Sequence, residues 1–292
     1  HSHRDRGRTG LSTLDARPHV GGGFTASNVT LAYSNNNAPV LKEVSARIEP
    51  GSMTVIVGPN ACGKSTFLRA LGRILTPQEG GVMLEGKPVD TYGAKEFARE
   101  VGFLAQTAIV PDSITVGDLV ARGRFPHQGM LHQWTEADEA AVVVALERTG
   151  TFSLAEREVA SLSGGQRQRV WIAMVLAQQT RVLLLDEPTT YLDLCHQFEI
   201  LELCRELNQE FGTTIIAVLH DLNQAARYAD RMIAMRDGRV YAQGTPEEVL
   251  TDETIESIFG VKSRVIMDPE TGTPMIVPRA GTYSRRVAAS SE

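Results

Sequence analysis

The spacing of hydrophobic positions changes along the chain, and the changes mark its elements. Phe24 to Tyr33 and Leu41 to Ile48 read as strands, with Ser34 to Asn37 as the turn between them. Ser52 to Val57 is a short apolar, β-rich run that feeds a glycine-rich loop. Val101 to Leu104, Val182 to Leu185, Thr214 to Leu219 and Met232 to Met235 are further β runs. Between these runs the spacing turns helical, at Gly63 to Ile74, Ala137 to Arg148, Gln166 to Ala177 and Leu192 to Glu210. Strands alternating with helices predict an α/β fold around a mostly parallel sheet. Residues from about Ala108 to Gly164 lack a strong β run and read as a helical insertion. Thr245 to Pro278 predicts short helices at Pro246 to Leu250 and Glu253 to Phe259, then a small β pair. His1 to Gly23 reads as a disordered polar tail without a secretory apolar run, and Arg279 to Glu292 as a second polar tail.

Composition narrows the classes. The 292 residues are 42% hydrophobic and 22% charged, values of an ordinary globular chain with enough material for a core. The longest apolar run, Val170 to Ala177, is far short of the about 20 residues that span a bilayer. A net charge of −6 gives no basic field for nucleic acid. Three cysteines without metal-ligand spacing fit a reducing compartment.

The chemistry concentrates in three segments. Gly58-Pro-Asn-Ala-Cys-Gly-Lys-Ser65 is a full G-x-x-x-x-G-K-[ST] match between a predicted strand and a predicted helix. There, backbone N–H groups and a helix N-terminus favour phosphate, Lys64 reaches the β/γ-phosphates and Ser65 Oγ meets Mg²⁺. Ala61 requires the loop to tolerate a Cβ, and Cys62, at a helix start, is a candidate for a lowered thiol pKa or a small filler. Asp186 and Glu187 end the apolar run from Val182, at the strand end where open α/β sheets bind ligands. One acid serves the metal, and the other polarises water toward the γ-phosphate. Ser163-Gly-Gly-Gln166 opens an amphipathic helix and forms a second anion site. One nucleotide has little use for two such sites in a single chain, so two chains head to tail are expected to pair each P-loop with the other's Ser163 turn.

In this order, Gly58–Ser65, Leu162–Gln166, Asp186–Glu187 and His220 resemble the nucleotide-binding subunit of an ABC transporter, over about residues 24 to 278. The resemblance implies a P-loop ABC-type α/β domain with an N-terminal antiparallel β subdomain and a helical subdomain inserted at about 108–164. It implies catalytic Glu187, His220 and Gln106. It implies ATP contacts at Tyr33, Gly58, Asn60, Cys62, Gly63, Lys64, Ser65 and Thr66, and at Ser163, Gly164, Gly165 and Gln166. Asp193 corresponds to the D-loop, and Ser65, Gln106 and Asp186 to the Mg²⁺ site. Val120–His127, Val218–Ala225 and Gln243–Val249 are similar to the ATPases of ferric-siderophore, haem and cobalamin importers, above all those for ferric enterobactin and ferric hydroxamates.

That resemblance implies an ATP-hydrolysing, Mg²⁺-dependent energy-coupling subunit, peripheral on the cytoplasmic face of the inner membrane. Its partners would be a second copy of itself, integral membrane permease subunits and, indirectly, an extracytoplasmic solute-binding protein, with no nucleic acid. The segment from Ala108 to His127, with Arg122, Arg124, Phe125 and His127, is the expected groove for the permease. A non-transport ABC ATPase fits less well, because the chain holds one cassette without an inserted coiled coil. A P-loop kinase leaves Ser163–Gln166 and Glu187 unexplained. Nothing in the ATP site touches the transported solute, so its chemistry leaves the solute open.

Overall fold

The computed structural model describes residues 22–281, apart from Asn36, Thr107 and His132. The expected polar tails therefore lie mostly outside the described residues. The chain opens with the antiparallel pair β1 (Phe24–Leu31) and β2 (Leu41–Ile48). It then enters a second sheet through β3 (Met53–Val57) and turns at 58–63 into helix α1 (Lys64–Leu71). Strands β4 (Glu79–Leu84) and β5 (Lys87–Pro88) return to the first sheet, and α2 (Ala94–Glu100) leads to β6 (Val101–Leu104). The insertion holds α3 (Val116–Ala121), a 3₁₀ segment Arg122–His127 and α4 (Glu136–Arg148), and it packs on α5 (Gly164–Ala177). Strand β7 (Val182–Asp186), α6 (Leu194–Phe211), β8 (Thr214–Val218), α7 (Leu222–Tyr228), β9 (Arg231–Arg236) and β10 (Arg239–Gly244) complete the second sheet. Helices α8 (Pro246–Val249) and α9 (Asp252–Phe259) and the hairpin β11 (Ser263–Met267)–β12 (Pro274–Pro278) follow.

The central sheet has the order β10-β9-β3-β8-β7-β6. All its pairings are parallel except the hairpin β9–β10. Strand periodicity explains why it is buried on both faces. Val55, Leu183, Leu185, Ile215 and Ala217 point into one core with α6 and the C-terminal helices. Ile56, Leu184, Ile216 and Val218 point into another, with Phe67 and Leu68 of α1 and the inner face of the antiparallel sheet. That second sheet has the order β2-β1-β4-β5.

The expected strands are present with small differences at their ends; β1 stops at Leu31, before Tyr33. Several elements had no reading of their own in the sequence, β4, β10, α2 and α7 among them. Strand β4 begins Glu-Gly-Gly and buries only Val82 and Leu84, and β10 is half exposed, so neither has a continuous apolar run. Helices α2 and α7 are seven residues each, too short for a helical period to stand out.

The insertion has its own core of Ile114, Val116, Leu119, Val120, Val142, Leu146, Val159 and Leu162 against Val170 and Ala173 of α5. Its position corrects one expectation. Arg124 does not face outward for a partner but lies 4% exposed inside the subdomain. Its Nε donates to Asp138 Oδ1 at 2.9 Å, and its Nη1 donates to the Ala177 carbonyl at 2.8 Å and to Gln179 Oε1 at 2.9 Å. The guanidinium thereby satisfies the C-terminal end of α5, as cations near last-turn carbonyls do. Burial alone would raise Asp138, but bonds from Arg124 and Thr135 hold its carboxyl below the usual range. His127 also turns inward, onto the Gln178 carbonyl, and burial lowers its pKa.

Candidate nucleotide site

Sheet register brings the sequence-selected residues to one edge. Ile56 of β3 pairs with Val218 of β8, Val218 with Asp186 of β7, and Leu185 with Leu104 of β6. The loop 58–63 follows β3, Gln106 follows β6, Asp186 and Glu187 end β7, and His220 follows β8. All four leave the sheet at its carboxyl end, where parallel sheets bind ligands.

The loop owes its shape to left-handed backbone at Ala61 (φ 59°) and Gly63 (φ 101°), with Gly58 at φ 159°. Ala61 does carry its Cβ in a conformation that favours glycine. Lys64 is buried, and its Nζ donates to the carbonyls of Gly58 and, at 3.1 Å, Pro59. Burial lowers its pKa against the pull of Cys62, Glu187 and Asp186. Thr66 is buried beside it and shares a 2.7 Å hydrogen bond with the hydroxyl of Tyr33, whose ring is half exposed. Asn60 is exposed at the loop's tip. Cys62 departs from the lowered thiol considered above. It is 3% exposed within the core under the antiparallel sheet, and burial raises its pKa. It acts as a filler.

Asp186 is 1% exposed. Its Oδ1 accepts from Ser65 Oγ at 2.8 Å, while its Oδ2 is buried without a hydrogen-bond partner, 3.9 Å from Arg69 Nη2. Burial raises its pKa despite Ser65 and Arg69. An orphaned carboxylate oxygen beside a serine hydroxyl is a donor set that a hard divalent cation completes, so the residues fit Mg²⁺. Glu187 follows at φ 52°, a left-handed conformation for a residue with a side chain, pinned by its N–H to the Val218 carbonyl at 3.1 Å. Its side chain is 9% exposed, and Oε1 lies 2.7 Å from His220 Nε2. Gln106 is exposed.

The Ser163 turn lies elsewhere, at the start of α5 and on the core of the insertion. Ser163 Oγ accepts from the Gln166 N–H at 3.3 Å, and Gln166 Oε1 accepts from the Ser163 N–H at 3.1 Å, a complete capping box. The side chain of Gln168 donates to the Pro188 carbonyl at 2.8 Å, joining this helix to the segment after Glu187. Asp193 caps α6 by accepting from the His196 N–H at 3.1 Å.

A family model described as ABC transporter matches residues 41–190, which take in the P-loop, the Ser163 turn and the Asp186–Glu187 pair. The chain belongs to the ABC transporter family, as one of its ATPase subunits. It is 52% identical to the ferric enterobactin transport ATP-binding protein FepC of Escherichia coli over 254 residues, 87% of this chain and 93% of that one. It is 48% identical to the achromobactin transport ATP-binding protein CbrD of Dickeya dadantii over 255 residues, 87% and 94% of the two. The dimeric structure of the bacterial ABC transporter cassette MJ0796 superimposes with a TM-score of 0.68 at 29% identity, over 76% of this chain and 98% of that one.

Within this ABC ATPase subunit, Arg122 and Phe125 are the exposed ones of the four residues named for the expected docking groove. They line a groove of about 500 Å³ with Asp118, Ala121 and Gln128. Lys95 Nζ lies 5.0 Å from the Phe125 ring centroid. Among the described residues no helix is long and apolar enough to cross a membrane. Sequence reasoning missed Arg69, on α1 below the loop, and the pair Gln197 and Gln224. Gln224 Nε2 donates to Gln197 Oε1 at 2.8 Å, and Gln197 Nε2 donates to the Leu192 carbonyl at 2.8 Å. That pair ties the helix after His220 to the turn before Asp193. Isolated glutamines on amphipathic helices give no sequence signal for such a link.

Proposed function

We propose that this chain is the energy-coupling ATPase of a multi-subunit importer for ferric siderophores. Residues 24–278 form its ATP-binding domain, and 108–164 the helical subdomain that meets the membrane subunits. The observation that carries the ATPase chemistry is the meeting, at one sheet edge, of an anion-binding loop, a buried acid with an unpartnered oxygen and an acid–imidazole pair 2.7 Å apart. The likeness to the FepC and CbrD proteins supports ferric siderophores as the cargo.

Tyr33 offers its half-exposed ring to adenine. Backbone amides of Gly58, Asn60, Cys62 and Gly63, with Lys64, Ser65 and Thr66, hold the phosphates. Ser65, Asp186 and Gln106 would hold Mg²⁺, which would offset the negative charge of the phosphates during transfer. Glu187 takes a proton from the attacking water, and His220, hydrogen-bonded to it, orients that carboxylate and reaches the γ-phosphate. Ser163, Gly164, Gly165 and Gln166 serve the γ-phosphate of a second copy, with Asp193 at the shared boundary. The dimer docks on permease subunits through the Arg122–Phe125 groove, at the cytoplasmic face of the inner membrane. An extracytoplasmic binding protein delivers solute from the other side.

The test is uptake of radiolabelled ferric siderophores, haem and cobalamin in cells lacking this protein. Restoration of ferric-siderophore uptake by the wild-type chain, and not by Glu187→Gln, supports the reading. Restoration of haem or cobalamin uptake alone would transfer the same role to that cargo. No effect on any of the three would remove the import role.

A further inference from the structure

His196 belongs to none of the motifs assigned to nucleotide chemistry, yet it touches two of them. Besides the N-cap bond to Asp193, its ring packs against the Ser163 turn at Gly165. A Cβ added to Gly165 would meet the ring at 2.7 Å from Cγ, 2.9 Å from Nδ1 and 3.0 Å from Cδ2. The glycine is required because the imidazole occupies the space a side chain would need. On its other side, His196 Nδ1 lies 3.0 Å from Glu199 Oε2. The same oxygen accepts from Arg169 Nη2 at 3.0 Å, and Arg169 Nη1 donates to the Thr149 carbonyl at 3.0 Å. Arg169 lies on α5, the helix that Ser163 caps. A continuous set of contacts therefore runs from Asp193 through His196 and Glu199 to Arg169 of α5.

We propose that His196 is a positioning residue for dimerisation, holding the Ser163–Gly165 turn and Asp193 as one rigid unit for the second copy. This rests on the composite-dimer reading above. Unlike a hydrophobic spacer, an imidazole between carboxylates can lose a proton. The charged groups facing it are Glu199 and Asp193 at the start of α6 and Arg169 from α5. The hydrogen bond to Glu199 and the charge of Asp193 raise its pKa above the ordinary 6.5, with Arg169 opposing. The contribution of the imidazolium is full below pH 6.5 and is lost as pH rises through the raised value.

The experiment uses the full chain carrying Glu187→Gln, with MgATP, and measures dimer formation by light scattering from pH 6.5 upward. His196→Ala is expected to weaken dimerisation about 10-fold, within the range of coupling between contacting residues, while nucleotide affinity of the separate chain is unchanged. His196→Gln retains a hydrogen bond to Glu199 without a titrating proton. It should recover most of the dimerisation and flatten the pH dependence, a response that a mere packing role would not give. Undiminished dimerisation in His196→Ala, or an undiminished pH dependence in His196→Gln, would overturn the proposal. Absence of an ATP-dependent dimer with His196 intact would instead remove the composite-dimer reading, and this proposal with it.

Discussion

At the scale of single residues, Glu187 combines a legible feature with a hidden one. Its place after an apolar strand and an aspartate could be read from the sequence. Its left-handed backbone could not, because β7 and the Val218 carbonyl impose it through tertiary contacts. A general base contributes about 10²–10⁴-fold. Glu187→Gln keeps the side chain's shape and should lower kcat by that factor, with nucleotide binding intact, as turnover and fluorescent-nucleotide titration would show. Arg124 illustrates the opposite outcome. A sequence shows its charge but not the carboxylate and carbonyls that enclose it. Arg124→Glu would set two buried acids together, and breaking such a buried pair costs about 3–5 kcal/mol. Urea denaturation should show that loss even without a permease. Docking is better probed at Phe125 and Arg122. Phe125→Ala should leave the isolated chain's ATPase within a few-fold of wild type and reduce co-purification with membrane subunits.

Among the elements, the parallel strands were legible because burial on both faces writes a continuous apolar run. The half-buried strands and seven-residue helices were not, since pairing partners rather than their own residues define them. Helix α7 shows how a small element is fixed. Asp221 caps it, Asn223 Oδ1 accepts from the Ile276 N–H at 2.8 Å, and Arg227 Nη2 lies 2.8 Å from Asp268 Oδ2. The C-terminal hairpin is thus clamped to the helix that follows His220. The Arg227 bond, with the Glu270 N–H, holds the Asp268 carboxyl down at about 2 from its ordinary 3.8. A depressed carboxyl stabilises the fold above its ordinary pKa and loses that effect as pH falls through the depressed value. Protection of β12 amides from hydrogen exchange, taken relative to the intrinsic rate at each pH, should therefore fall between pH 3.8 and about 2. In Asp268→Asn the exchange should be faster at neutral pH and lose that transition.

For the whole molecule, the two anion-binding helix starts belong to different cores, α1 to the one beneath the antiparallel sheet and α5 to that of the insertion. An engineered cysteine pair at Ser163 and the opposing loop should crosslink between chains only with ATP, as gel electrophoresis would show. Crosslinking within single chains would remove the head-to-tail arrangement. The loop itself depends on a distant part of the sequence. The N–H of Gly238, in the turn between β9 and β10, donates to the Cys62 carbonyl at 2.9 Å, and its carbonyl accepts from the Lys42 N–H at 2.9 Å. Gly238 has φ 74°, and a Cβ there would lie 2.2 Å from the Val40 carbonyl oxygen. Gly238→Ala would force apart backbone that supports the phosphate loop. A random-mutagenesis screen scored for failed nucleotide binding should thus return a hit in a hairpin turn far along the chain from residues 58–65. A drug-resistance or loss-of-growth map drawn by sequence position alone would file that hit under the wrong cause.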